Sequence, residues 1–212
     1  VKESSVYVPL DFFAKILGYN VTYKDGVITI NGEEHLGKAG KYEEQITKKT
    51  ITISAAGDFT LGYYKGQASG GRFDEVANKN GMNYFMNNVK PIFEKDDLTI
   101  VNLEGPLTTR GSAADKEFAI RGLPDYTEIL KAGSIETVNL ANNHTYDYGK
   151  IGYTDTISVL KKAQIGYFGE DATYYTTVND IKVAVLGVKG WVSNQSVKNT
   201  IKKRMDEDRR DR

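Results

Sequence analysis

The sequence predicts an α/β fold, a mostly parallel sheet with helices between its strands, preceded by a small α+β fragment. Three observations carry this. The runs Thr50-Ile-Thr-Ile-Ser-Ala-Ala, Leu98-Thr-Ile-Val-Asn-Leu and Ile135-Glu-Thr-Val-Asn-Leu-Ala are apolar without alternating, as strands covered on both faces are. Segments with helical spacing of apolar residues separate them. Strand–helix–strand alternation implies right-handed crossovers and a parallel sheet.

Taken in order, Val6-Tyr-Val-Pro-Leu leads into a helix over Asp11 to Leu17, capped by Asp11 and ended by Gly18. Tyr19-Asn-Val-Thr-Tyr and Val27-Ile-Thr-Ile form a hairpin around Lys24-Asp-Gly, since Asp-Gly supplies the positive φ of a tight turn. A helix and a hairpin bury too little apolar surface to stand alone, so residues 1–32 read as the tail of a larger module. Residues 33–50 are charged and glycine-bearing, which reads as a linker. Residues 51–212 are the third part. Helices are expected from Phe73 to Phe93, from Asp125 to Ala132 (stopped by Gly133), and from Tyr153 to Ala163. Ile165-Gly-Tyr-Phe-Gly, Tyr174 to Val178 and Ile181 to Val188 read as shorter strands, the last two as a hairpin. In the charged tail, Ile201 and Met205 are spaced i, i+4, as on one helix face.

Composition excludes several classes. Lys plus Arg equals Asp plus Glu at 28 each, so bulk charge points to neither nucleic acid nor a membrane surface. There is no cysteine, hence no disulfide, thiolate metal site or Cys nucleophile. No apolar run approaches the length of a membrane span, and no signal-peptide pattern is present. Because residue 1 is Val rather than Met, a longer precursor is expected, with any signal or anchor upstream. Gly66-Gln-Ala-Ser-Gly-Gly-Arg is glycine-rich, but it lacks the Gly-Lys-Ser/Thr ending of a phosphate-binding loop.

The chemistry sits where the apolar runs stop, at Asp58, at Glu104 and at Asn142-Asn143-His144. Ligands of parallel α/β sheets collect at the carboxyl ends of the strands, which would bring these residues to one edge. Carboxylate and amide oxygens with an imidazole nitrogen suit Mn, Fe, Zn or Mg. Taken singly, each residue also has a plain structural reading. Asp58 fits a turn or cap, Glu104 a loop, Asn142-Asn143 a left-handed turn, and His144 a satisfied polar residue. Asn102 either orients Glu104 or finishes its strand. Asp147 and Tyr148 read as a helix start and packing support. Arg110, Lys116 and Arg121 flank Glu104 and either meet an anionic substrate or stand in solvent. Tyr63, Tyr64, Tyr146 and Tyr148 read as amphipathic packing or a groove lining.

Three motifs together carry a family resemblance: Ala56-Gly-Asp-Phe-Thr-Leu-Gly, Asn102-Leu-Glu-Gly-Pro-Leu-Thr and Leu140-Ala-Asn-Asn-His-Thr-Tyr-Asp-Tyr-Gly. In this order and with these connecting helices, residues from about 51 to 188 resemble the CapA-type poly-γ-glutamate capsule-synthesis family. That family is similar to calcineurin-type metallophosphoesterases. The resemblance implies the first half of a metallophosphoesterase-like α/β sandwich. It implies Asp58, Glu104 and Asn143 as metal ligands, with Glu104 bridging, and His144 as the catalytic proton donor. Asn102, Asn142 and Arg110 would support the ligands or the substrate. It further implies divalent metal ions, an anionic polymer or phosphoester substrate, membrane-bound capsule synthase components as partners, and an extracellular, membrane- or wall-associated place. An alternative within the same family is a non-catalytic polymer-binding or assembly factor. The opening segment, Val-Tyr-Val-Pro-Leu through Gly-Val-Ile-Thr-Ile, resembles the end of a copper amine oxidase N-terminal-like module, which would act as a spacer or stalk.

The family's second half normally adds histidines in a His-Trp-Gly strand and a Gly-His-x-His turn. Here the histidines are His35 and His144 alone. The expectation is an incomplete two-metal site that binds metal weakly or not at all in this chain and is silent by itself. The open sheet edge is expected to favour self-association.

Overall fold

The computed structural model describes residues 21–24, 27–30, 33–34, 49–190 and 195–210. The expected helix over 11–17, the hairpin's Asp-Gly turn and His35 lie outside them. Among the described residues, 51–190 form one compact unit, and the N-terminal strands and C-terminal helix belong to a second.

In the second unit, β1 (Val21–Lys24) pairs antiparallel with β2 (Val27–Ile30), as the hairpin reading expects. A third strand, β3 (Glu33–Glu34), pairs with β2, so strand structure extends into the start of the presumed linker.

The larger unit is built on a four-stranded sheet, all parallel, in the order β4-β6-β8-β9. Its strands are β4 (Ile53–Phe59), β6 (Leu98–Leu103), β8 (Thr137–Asn139) and β9 (Gly166–Phe168). A two-stranded piece pairs β5 (Tyr63–Tyr64) with β7 (Ile120–Arg121). The hairpin β10 (Thr173–Val178) and β11 (Ile181–Leu186) turns at Asn179 and Asp180, whose φ values of 49° and 64° suit the tight turns that follow strand twist.

The expected long helix over 73–93 is divided. It comprises α1 (Phe73–Asn80), a 3₁₀ segment (Met82–Met86) and α2 (Lys90–Phe93). Gly81 ends α1 at φ 81°, outside the helical region, and Pro91 opens α2. The next helix, α3 (Thr127–Ala132), follows a 3₁₀ turn over Pro124–Tyr126. Helix α4 (Gly149–Ala163) begins four residues before the expected start and closes on a left-handed Gln164. In the tail, α5 (Gln195–Arg210) is helical, as the spacing of Ile201 and Met205 implies.

The sheet differs from expectation in its coverage. Along β6, Thr99, Val101 and Leu103 are buried, whereas Ile100 and Asn102 are half-exposed. Val101 and its neighbour Val138 join Leu130, Ile129, Leu160, Tyr126 and Met86 in the core. Among the described residues, therefore, one face is packed and the other is partly open. The candidate residues stand on the open side, since side chains alternate along a strand.

Candidate functional site

The register of β4 against β6 decides where Asp58 points. Ile53 to Ala55 pair with Leu98 to Ile100, then one extra residue is inserted and Asp58 pairs with Asn102. Such a bulge re-aims the side chains beyond it. Without it, Gly57 would stand opposite Asn102 and Asp58 would face the other side. Asn102 pairs in turn with Asn139 on β8. Asp58, Asn102 and Asn139 thus form a row across three strands, and Glu104, two residues beyond Asn102, follows on the same side.

Asn102 is the hub of this row. Its Nδ2 donates to Asp58 Oδ1 at 2.7 Å and to Glu104 Oε2 at 2.6 Å. Its Oδ1 accepts from Asn139 Nδ2 at 2.9 Å and from Asn142 Nδ2 at 3.0 Å. All four hydrogen-bonding positions of the amide are used, and the network fixes which end is nitrogen. Asn102 lies near the end of β6, and its amide contacts Asp58 as well as Glu104.

The turn after β8 is tied down by its own amides. Asn139 Oδ1 accepts from Ala141 N at 3.0 Å, and Asn142 Oδ1 from His144 N at 2.9 Å; both are local side-chain turns. Asn142 is 7% exposed and also donates to the Leu103 carbonyl at 2.9 Å, fastening the turn to β6. Asn143 is exposed, and its carbonyl accepts from Lys116 Nζ at 3.1 Å. Asn142, rather than Asn143, supplies the side-chain link to the cluster.

His144 sits between two carboxylates. Its Nε2 lies 3.5 Å from Glu104 Oε1, and its Nδ1 lies 2.7 Å from Asp147 Oδ2. Asp147 does not cap the helix: the N-cap position of α4 is Tyr148, which makes no side-chain cap bond, and the buried Asp147 carboxylate turns toward His144. The Ile120 amide donates to Asp147 Oδ2 at 2.6 Å, and Lys116 forms an ion pair with Oδ1. That second contact is ionic rather than a directed hydrogen bond.

Burial and the nearby Asp58 charge push the Glu104 carboxyl above its ordinary range, while the His144 ring and the Asn102 amide pull the other way. Two acids that resist sharing negative charge favour a cation or a proton between them. The donors fit a hard divalent ion in kind, with carboxylate oxygens from two strands and an imidazole nitrogen nearby. They do not close a shell, for among the described residues no group of three His, Asp or Glu side chains is arranged to hold a metal ion.

The other basic and aromatic candidates are engaged elsewhere. Arg110 pairs with Asp155, whose Oδ2 also accepts from Thr108 Oγ1 at 2.6 Å. Arg121 lies over the Tyr148 ring at 4.4 Å, Arg72 over Tyr63 at 4.4 Å, Tyr64 meets Phe118 edge-on, and Tyr146 leans on Tyr153. In the glycine-rich turn, the Gly70, Gly71 and Arg72 amides converge on Glu75 Oε2, a carboxylate of the chain itself.

Sequence reasoning passed over Asn139 and underrated Asp147 and Lys116. The signal for Asn139 was present: Val-Asn-Leu recurs at the end of β6 and across the end of β8, putting an amide at matching places on adjacent parallel strands. No spacing rule links Lys116 to a turn 28 residues on.

Residues 52–211 match the family model described as "Bacterial capsule synthesis protein PGA_cap". The chain is similar to the capsule biosynthesis protein CapA of Bacillus anthracis, 28% identical over 148 residues, which are 65% of this chain and 34% of that protein. It is also similar to the PGA biosynthesis protein CapA of Bacillus subtilis, 28% identical over 166 residues, 74% of this chain and 40% of that protein. A stretch of 77 residues, 36% of this chain and 20% of the relative, is 39% identical to the "Probable polyglutamine synthesis accessory protein" of Mycobacterium tuberculosis. The chain thus spans well under half the length of these relatives. With the family model matching most of the chain and the α/β fold with its parallel sheet agreeing, the chain belongs to the bacterial capsule synthesis protein family.

Proposed function

We propose that this chain carries part of a divalent-metal site for a phosphoesterase-like step in capsule or poly-γ-glutamate synthesis, acting on an anionic polymer or phosphoester. The observation that carries this reading is the single Asn102 amide gripping Asp58 and Glu104 together, with His144 Nε2 facing Glu104. Asp58 and Glu104 would hold the ion, with Asn143 as a further amide ligand after a change of side-chain rotamer. When bound, such an ion supplies Lewis acidity toward a phosphoryl or carbonyl oxygen. Asn102 orients both carboxylates, and His144 holds a proton for a leaving oxygen at Nε2. We place this work outside the cell, at the membrane or wall, beside membrane-bound synthase components, as the motif resemblance implies. No helix among the described residues is long and apolar enough to cross a membrane.

A second reading, a non-catalytic assembly or polymer-binding factor, draws support from the unclosed ligand shell and from the Asn102 nitrogen lying between the two acids. Glu104→Gln and His144→Ala in the full-length protein separate the two. The metal reading expects both to abolish capsule production in cells at unchanged protein level. Normal production with both variants would leave only the binding factor.

A further inference from the structure

Residues 51–190 contain three arginines, Arg72, Arg110 and Arg121, and two of them are spent on the chain's own acids. Arg72 closes its fork on Asp74, with Nε 2.9 Å and Nη2 2.7 Å from the two carboxylate oxygens. Arg110 closes on Asp155 in the same two-pronged way. Arg121 differs. Its guanidinium lies over the Tyr148 ring, 4.4 Å from the centroid. Among the described residues, no carboxylate or other acceptor meets its N–H groups. Stacking uses only the flat face of a guanidinium and leaves the donors around its edge open.

We infer that Arg121 is a substrate-docking residue, its guanidinium edge receiving a phosphoryl or carboxylate group beside the Asp58–Glu104 cluster. This role rests on the anionic substrate of the proposed function.

The backbone puts Arg121 next to the cluster on both sides. Ile120, just before it, donates its amide to Asp147 Oδ2 at 2.6 Å, and the same oxygen meets the His144 ring. Gly122, just after it, donates to the Pro106 carbonyl at 3.0 Å, two residues beyond Glu104. The Tyr148 ring under the guanidinium is buried and belongs to the residue after Asp147. The segment carrying Arg121 is thus fastened to both turns that build the cluster. Its own place is tight as well. Arg121 pairs with Tyr63, and a side chain at Gly62 would run into the Arg121 carbonyl.

The same surroundings select the ligand. Arg72 and Arg121 are both half-buried, so each guanidinium has lost part of its water. For Arg72 an internal carboxylate offsets that loss; for Arg121 the edge still lacks anionic oxygens. A planar fork of N–H donors matches the paired oxygens of a phosphoryl or carboxylate group. Held over the ring, the fork loses little freedom on binding.

The test is NMR titration of the arginine Nε–H signals of the 212-residue chain at constant ionic strength, in EDTA so that no metal contributes. The probes are inorganic phosphate and, separately, γ-glutamylglutamate. The expected result is a saturable shift of the Arg121 signal, with Arg72 and Arg110 little moved because their forks are closed. Arg121→Lys keeps the charge but loses the fork. Binding read at the Ile120 and Gly122 backbone amides should weaken about 10-fold, the scale of one charge-assisted hydrogen bond. Signals are assigned through the backbone, so the wild-type titration decides the matter should Arg121→Lys fail to fold. A shift with phosphate alone, with the dipeptide alone or with both upholds the docking role and identifies the source of the anion. No shift at Arg121 with either probe, equal shifts at all three arginines, or undiminished binding in Arg121→Lys would each overturn it. Mn²⁺ binding is measured separately. An anion held at Arg121 in a chain that binds no Mn²⁺ would sink the metal reading and leave this one standing; Mn²⁺ binding with no anion at Arg121 would do the reverse.

Discussion

Asp58 stands opposite Asn102 because one extra residue is inserted in β4 between Ala55 and Asp58, and the two side chains meet at 2.7 Å. That local irregularity converts two neighbouring strand ends into one site. The same Asn102 amide then reaches Glu104 just beyond its own strand and two amides from the next strand and its turn.

Replacing Asn102 separates its two tasks. Asn102→Leu leaves the Asn139 and Asn142 amides without their acceptor and the two acids without their shared donor. A loss of about 2–4 kcal/mol in urea unfolding is expected, the scale of several half-buried polar groups left unpaired. Asn102→Asp keeps the acceptor but adds a third carboxylate. It should melt lower than wild type without added metal and recover when Mn²⁺ is added. Equal melting with and without Mn²⁺ would contradict the cation-binding character of the row.

Gly105 follows Glu104 at φ +114°, and a Cβ there would lie 2.8 Å from Ile120 Cγ2. Gly105→Ala therefore forces both a strained backbone and a clash with the β7 strand. Destabilisation of about 1–3 kcal/mol is expected from chemical denaturation. An unchanged midpoint would show that the loop relaxes freely, and the Glu104 position would then owe little to it.

Arg110 pairs with Asp155, and hydrogen bonds from Arg110 and Thr108 hold that carboxyl below its usual range. A depressed folded-state value means the stabilisation is present above the unfolded carboxyl range and is lost as pH falls through the folded value. Stability should thus decline on acidification from about pH 4 downward. Asp155→Asn should flatten that part of the profile. A profile identical to wild type would show that the contact adds nothing measurable, as exposed ion pairs often do.

Much of this was legible in the sequence, for identifiable reasons. β6 was read to the residue because five apolar or β-branched positions, interrupted only by Asn102, lie between the polar Asp97 and Glu104. The β10–β11 hairpin was legible from Asn179-Asp180. The break at Gly81 was not, because the apolar spacing from Val76 to Val89 runs through it without regard to backbone φ. At the cluster, Asp58, Glu104 and the Asn142-Asn143-His144 turn were singled out because each stands where an apolar run ends. The bulge that aligns Asp58 leaves no mark in hydrophobic pattern. Asp147 was read as a cap because acids before helices usually are; its pairing with His144 and the 114–120 loop is a tertiary contact that helix-start statistics do not see. Arg110 was read as either a substrate contact or a solvent-facing residue; its partner Asp155 lies 45 residues away, a tertiary contact that position along the chain does not show.

The central claim is that separate strand ends bring Asp58 and Glu104 to one cation around Asn102. Paramagnetic broadening of the Asn102, Asn139 and Asn142 side-chain NH₂ signals by Mn²⁺ reads this directly, even for weak binding. The account predicts selective loss of these signals at low Mn²⁺, with the effect removed by Asp58→Asn and by Glu104→Gln. Signals that persist in excess Mn²⁺, or broadening that survives both substitutions, would contradict it.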